Sequence, residues 1–400
     1  MRAWSAAYAA GLAAARPAVD LPLLDSDGQT LAAPLTTLTD LPAFPTASVD
    51  GWAVRGAPSW RIVGRVLAGA APAPLTEEGT AVEIATGAMV PEGATAIVRV
   101  EESDRAGDGR VTGIPRPRPE WRERGGEAQA GEELLPAGTP VDPAVIGLAA
   151  SCGYESLRVR PAPRAALLVF GDELLTTGRP GAGRVRDALG PMVPGWLRRY
   201  GCAVDPAHVV GPVADTLADH VAALRAALAE VDLVCTTGGT MHGPVDHLHP
   251  ALAELGAEYV VNTVAVRPGF PMLLARVPGG GGRDRFVAGL PGHPQSAVVA
   301  LVSLVAPFLA GLRARPAPTL GEVPLGEPVA GRGDFTHLAL VRIDPVRGTA
   351  HPVRHAGPAM LRGLAGAAGF AVIRPGGSGA PGGRVPFVPL PLIPGERPAG

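Results

Sequence analysis

Lysine is absent from the chain: all 35 cationic residues are arginine. No side chain can therefore act as an amine nucleophile, form a Schiff base or serve as a titrating cation, because arginine stays protonated at any working pH. A phosphate loop of the G-x-x-x-x-G-K-[ST] type is excluded for the same reason, and with it the usual signature of a nucleotide-phosphate hydrolase. Cysteine is scarce. Cys152, Cys202 and Cys235 are widely spaced and odd in number, which matches neither a disulfide framework nor a CxxC metal clamp and suits a reducing cytoplasm. An excess of one charge is lacking too: 37 acidic residues nearly balance the arginines, leaving a net charge of −2, and no nucleic-acid footprint is visible. Long apolar runs are also missing, since no segment approaches the roughly 18 uninterrupted apolar residues of a membrane span. The start, MRAWSAAYAAGLAAARP, superficially resembles a secretion signal. Its alanine-rich run is weakly apolar, however, and reads equally well as a helix stopped by Pro17.

Glycine and proline are abundant, at 54 and 44 residues in a chain of 400 that is 46% hydrophobic. They are interleaved with apolar segments, so they read as turns in a multi-domain globular fold. From about 52 to 115 come short β-rich runs such as WRIVGRVLAG and TAVEIATG, separated by Gly and Pro at strand-like spacing. From 164 the texture changes to alternating strands and helices: RAALLVF, ADTLADHVAALRAALAE, VDLVCTT, AEYVVNTVAV, RFVAGL and the apolar helix PQSAVVALVSLVAPFLAGL. Such alternation predicts a parallel sheet with helices on both faces. After Pro316 short strands return. The fold class read from the pattern is α/β plus β: a multi-domain chain with a central α/β domain carrying a mostly parallel three-layer sheet, a β-rich inserted domain and a C-terminal β domain. The expected boundaries are 1–43 plus 116–162 for a discontinuous N-terminal and linker domain, 44–115 for the small β domain, 163–315 for the α/β domain and 316–400 for the last.

In an open α/β sheet, ligands sit beyond the C-terminal ends of the strands. Three such ends carry unusual residues. VFGDELLTTG places Gly171, Asp172 and Glu173 after a buried strand. VDLVCTTGGTMHGPVDHLHP offers Thr237, Gly238, Gly239 and Thr240, with Asp246 at the entrance of the next helix. AGLPGHPQSA presents Pro291, Gly292, His293 and Ser296 around a helix start. Glycine permits close backbone approach, and helix N-termini offer N–H groups to an anion. The histidines His242, His247 and His249 suit a closed zinc site poorly, because 247 and 249 face different sides of a helix; an oxygen-ligated Mg²⁺ at Asp246 is chemically easier. A fourth candidate, FPTASVDGWAVRG, has Asp50 in an Asp-Gly turn, for which an ordinary turn is the simpler account.

These loops, in this order, resemble the MoeA family, the molybdopterin molybdenumtransferases, to which the C-terminal part of gephyrin also belongs. LPAFPTASVDGWAVRG is similar to the family's LPPFDNSAMDGYAVR, EIATGAMVPEGATAIVRVEE to I-x-TGAPVPEGADAVVMxEE, and RERGGEAQAGEELLPAG to RRxGEDIxxGxxLLxxG. GDEL is shared, TTGGTMHGPVD resembles SGGVSVGxxD, AVRPGFP resembles xxKPGKP, and GLPGHPQSA resembles GLPGNPVSA. The resemblance runs nearly end to end and marks a divergent member.

It implies a homodimer of four-domain subunits whose α/β domain binds molybdopterin. The implied reaction is insertion of molybdate into adenylylated molybdopterin with Mg²⁺-dependent release of AMP, in the cytoplasm, with the molybdopterin adenylyltransferase as a candidate partner. Carried over by position, Asp50, Thr86, Glu127, Glu173 and Asp246 match acidic or hydroxyl positions of the family's cleft, with Glu173 and Asp246 as the metal candidates. Arg267 stands at the first Lys of KPGKP and joins the strand-end residues as a substrate-binding candidate. Phe270 replaces the second Lys, His293 replaces Asn, and DALGPM at 187–192 stands where the family has an Asp-Ser-Asn run. Those departures motivate an alternative: a catalytically impaired paralogue that binds or carries the pterin.

Overall fold

A computed structural model describes residues 2–10, 15–241, 243–279 and 283–391. The chain divides into two compact units, one of Asp20–Asp27 and Leu31–Val159, the other of Met1–Val19, Gly28–Thr30 and Arg160–Gly400.

The smaller unit is built on a six-stranded sheet in the order Ser103–Arg105, Arg110–Gly113, Trp60–Val66, Thr80–Ile84, Gly51–Arg55 and Ala96–Arg99. All neighbours are antiparallel except Trp60–Val66 and Thr80–Ile84, which run parallel. Two apolar clusters form on it, one around Ala53, Val82, Ile84 and Ile97, the other around Trp52, Val54, Trp60 and Val98. The alternation of residues between these clusters follows from the two-residue period of a strand. A further cluster gathers Leu35, Val145, Ala149 and Leu157 under the helix Pro143–Ser151. Asp142 caps that helix by accepting from the Val145 N–H at 2.9 Å, and Pro143 opens it where no donor is needed.

The larger unit carries a six-stranded sheet in the order Val209–Val213, Ala165–Phe170, Leu233–Thr237, Arg285–Leu290, Leu273–Val277 and Glu258–Asn262. The first four strands run parallel, and Leu273–Val277 runs antiparallel to both Arg285–Leu290 and Glu258–Asn262. Every residue of Ala165–Phe170 and Leu233–Thr237 is buried, as expected of central strands covered on both faces. The expected α/β class and mostly parallel sheet are therefore present. Thr216 caps the helix Leu217–Glu230, its Oγ1 accepting from the Asp219 N–H at 3.1 Å, and Val221, Leu224 and Leu228 point from that helix into the core.

Three features depart from the sequence-based expectation. AEYVVNTVAV, expected as one run, breaks at Thr263, whose φ is +58°. A β-branched residue in this region is strained by about 1–3 kcal/mol. The break sends Val264–Arg267 into a different, seven-stranded sheet, where it lies parallel to Thr336–Ile343 with Arg267 opposite His337. Second, the opening segment does not stay in one domain with residues 20–43. The helix Trp4–Ala10 belongs to the larger unit, where Trp4 Nε1 donates to Ser303 Oγ at 2.8 Å. Third, Pro294–Leu312 is a 19-residue helix apolar and long enough to cross a membrane by length and composition, although its most apolar window is 94% buried within the protein. Its middle turn, Leu301–Val305, is π-helical and holds Ser303 against Trp4.

Candidate functional site

In the larger unit, strand register fixes the loops. Val169 lies opposite Thr237, and Thr237 opposite Leu290, across adjacent parallel strands. The loops that begin at Gly171, Gly238 and Pro291 therefore leave the sheet side by side, as expected for a strand-end site. Gly238 N–H donates to Leu290 O at 3.0 Å, tying the second loop to the third strand. Gly238 and Gly239 have φ of +86° and +65°, conformations that favour glycine. Gly171, at φ +136°, carries the Glu173 carboxylate directly over it: a Cβ there would meet Glu173 Oε2 at 2.5 Å. Asp172 is held through its N–H, which donates to Asp215 Oδ2 at 3.1 Å.

The histidines of this region have separate tasks. His249 pairs through Nδ1 with the Tyr259 hydroxyl at 2.6 Å and through Nε2 with Thr240 O at 3.3 Å, pinning the buried Thr240. His247 meets the ring of His220 edge-on, with centroids 5.7 Å apart. His220 is fully buried and stacks on Phe170 at 3.8 Å beneath the loops. Burial pushes the His220 pKa down, against the opposing pull of Asp215, so the ring is neutral at pH 7. His242 lies outside the described residues. Among the described residues no three His, Cys, Asp or Glu side chains gather as a metal cluster. Asp246 folds back on its own loop, Oδ2 accepting from the Gly243 N–H at 2.7 Å.

The third loop corrects one expectation. The helix start after His293 does not offer all its N–H groups to a ligand, because Gln295 N and Ser296 N point at Pro358 O at 2.9 and 3.4 Å. Gln295 Oε1 accepts in return from the Gly357 N–H at 2.9 Å, while Ser296 is buried and His293 exposed. Asp187, in the divergent DALGPM stretch, is likewise engaged: its Oδ1 accepts from the N–H groups of Leu189 and Gly190, both at 2.9 Å, and caps the next helix.

Arg267 ends its strand at the rim of a cavity of about 720 Å³ that also takes in Gln295, Arg332, Phe335, His337 and Pro358. Among the described residues, no acidic side chain lines this cavity. Sequence reading missed Arg332, Phe335 and His337, which lie some seventy positions from Arg267 and reach it only through the parallel pairing of the two strands.

The smaller unit holds the remaining candidates. Asp50 Oδ1 accepts from both the N–H and the hydroxyl of Thr86, at 2.6 and 2.8 Å. The backbone donor, then the hydroxyl, keep the Asp50 carboxyl below the usual aspartate range. Gly51 lets its strand pair closely with Ala96–Arg99, because a Cβ there would stand 2.1 Å from Val98 O. Asp50 borders a cavity of about 330 Å³ with Arg65 and Glu83, themselves joined by two contacts of 3.0 Å. Glu127 is exposed in the turn whose backbone N–H donates to Leu41 O at 2.9 Å.

Comparison with known proteins identifies the family. Residues 3–153 match the family description "MoeA N-terminal region (domain I and II)", residues 166–311 match "Probable molybdopterin binding domain", and residues 322–390 match "MoeA C-terminal region (domain IV)". A curated relative named molybdopterin molybdenumtransferase in Bacillus subtilis is 30% identical over 89% of this chain and 85% of its own length. A relative of the same name in Haemophilus influenzae is 31% identical, over 68% of each chain. In fold, the chain is similar to a solved molybdopterin biosynthesis MoeA protein from Pyrococcus horikosii, with a TM-score of 0.77, 23% identity and coverage of 98% of this chain and 99% of that one.

Proposed function

Because this chain belongs to the MoeA family, we propose that it acts in molybdenum cofactor biosynthesis as a transferase that inserts molybdate into adenylylated molybdopterin and releases AMP. The observation that carries this reading is the set of three strand-end loops held level by the Val169, Thr237 and Leu290 register, with Glu173 and Asp246 on neighbouring loops. The pterin is the small-molecule substrate, bound along Gly171, Asp172, Thr237 to Thr240 and Pro291 to Ser296. Arg267 and its cavity, which no acidic side chain among the described residues lines, receive the oxyanion, since a guanidinium presents a fork that matches tetrahedral oxyanions.

A divalent cation fits the donor set on chemical grounds. Glu173 and Asp246 supply hard oxygen donors, and a site of one or two carboxylates completed by substrate phosphate suits Mg²⁺. When bound, the ion neutralises charge on the phosphate oxygens of the adenylylated substrate. The chain's own residues do the rest: the Gly243 N–H orients Asp246, Gly171 leaves room for the Glu173 carboxylate, and His249 holds Thr240 in place. Asp50, kept ionised by Thr86, provides a fixed anionic acceptor in the smaller unit. The proposal extends to a cytoplasmic homodimer of four-domain subunits that takes its substrate from the molybdopterin adenylyltransferase. The carrier reading is less well supported, because its motive, Phe270, has a different role described below.

The test is equilibrium binding of adenylylated molybdopterin to wild-type protein and to Asp246→Asn, with and without Mg²⁺. Binding that Mg²⁺ tightens in the wild type and not in the variant is expected. Equal Mg²⁺ dependence in both proteins would remove Asp246 from the metal role.

A further inference from the structure

Two aromatic rings pack against the Arg267 guanidinium. Its central carbon lies 4.5 Å from the ring centroid of Phe270 and 4.3 Å from that of Phe335. Local turns bring each ring there. The turn after the Arg267 strand passes through Gly269, at φ +98°, and returns Phe270 onto the residue three positions earlier. Phe335 precedes the parallel strand Thr336–Ile343, and its N–H donates to Arg332 O at 3.2 Å. His337 Nδ1 pairs with Ala330 O at 2.8 Å and braces the same segment.

Among the described residues, the Arg267 side chain has no carboxylate within ion-pair distance and no hydrogen-bond acceptor. The rings offer π surface and no lone-pair acceptor, so the guanidinium N–H donors stay available to the cavity that Arg267 lines. Each ring also removes rotational freedom from a long side chain that otherwise has rotamer entropy to lose on binding.

We propose that Phe270 and Phe335 are positioning residues that clamp Arg267 as one fixed guanidinium fork for the oxyanion, so that Phe335 sets oxyanion affinity without touching the pterin. This rests on the reading of the Arg267 cavity as the oxyanion end of the site. On this account Phe270 is a working part of the pocket, and Arg267→Lys is not conservative, because an ammonium lacks both the planar fork and its stacking face.

The experiment is calorimetric titration of the purified full chain with molybdate, with sulfate for comparison, in wild type, Phe335→Leu, Phe335→Trp, Arg267→Met and the Phe335→Leu, Arg267→Met double variant. Phe335→Leu is expected to weaken molybdate binding about tenfold and Phe335→Trp to keep it within about twofold of wild type. In the Arg267→Met background Phe335→Leu should cause no further loss. In turnover, Phe335→Leu should raise the KM for molybdate and leave kcat unchanged. The inference is overturned if Phe335→Leu binds molybdate as wild type does, if it weakens binding equally when Arg267 is already methionine, if kcat alone falls, or if the wild type binds no molybdate. Clamp-dependent binding in a chain that never releases AMP would sink the transferase reading and leave the clamp standing. AMP release with a molybdate KM that ignores Phe335 would do the reverse.

Discussion

Gly171→Ala tests whether the backbone at the first strand end is shaped for Glu173. Two effects add at this position. The backbone sits at φ +136°, a region that residues with a Cβ rarely adopt and that strains alanine by about 1–3 kcal/mol. The new Cβ would also stand 2.5 Å from Glu173 Oε2, well inside ordinary contact, so the carboxylate has to swing away. Because that carboxylate is the far end of a flexible side chain, its displacement adds little to the loss of stability, and the backbone term dominates. The prediction is therefore a loss of about 1–3 kcal/mol in denaturant unfolding of the larger unit, together with loss of Mg²⁺-dependent AMP release beyond what the unfolded fraction explains. Glu173→Gln separates the two effects, since it removes the charge without straining the backbone and should lower AMP release at unchanged stability. Wild-type stability and wild-type AMP release in Gly171→Ala would refute the reasoning.

Other outcomes follow from the same geometry. Thr86→Val removes the hydroxyl donor to Asp50 and keeps the backbone donor, which is the larger cause of the lowered pKa, so a carbon-detected NMR titration should show the Asp50 carboxyl rising only part of the way to its ordinary value. Because the folded-state pKa of Asp50 is depressed, its contribution to stability is present above the ordinary aspartate pKa and lost as pH falls through the lower folded value. An Asp50 titration unchanged in Thr86→Val would contradict this. Asp232 is buried beside Arg16, Arg283 and Arg285 at 3.3, 2.5 and 3.1 Å. Replacing it with Ala leaves guanidinium groups without their counter-charge and should destabilise the larger unit by about 3–5 kcal/mol in chemical denaturation; a change under about 1 kcal/mol would show the cluster to be solvated. Tyr259→Phe removes the hydroxyl that holds His249, and hydrogen exchange at the Thr240 loop should quicken by a factor matching about 1 kcal/mol. Unchanged exchange there would mean that His249 does not pin the loop.

Local signals in the sequence and contacts between distant residues contributed differently. The strand ends were legible because buried runs such as AALLVF stop at Gly171, and glycines mark the places where the backbone turns with positive φ. The Asp142 and Thr216 caps follow the same short-range logic. What escaped the sequence depends on long separations. Pro358 meets a helix start more than sixty positions away, Trp4 docks on Ser303, and Phe335 reaches Arg267 through strand pairing. The break at Thr263 was hidden because four valines and a threonine make Val-Val-Asn-Thr-Val-Ala-Val read as strand on both sides of Asn262, and its two halves join different sheets. Read alone, Phe270 was a lost cation; beside Arg267 and Phe335 it is one wall of a clamp.

The central claim is tested most directly by incubating the purified protein with adenylylated molybdopterin, Mg²⁺ and molybdate while following AMP and mature cofactor together. The account predicts AMP release that depends on molybdate and rises in step with the cofactor. Tight binding of the adenylylated pterin with no AMP released, at any molybdate concentration, would contradict it.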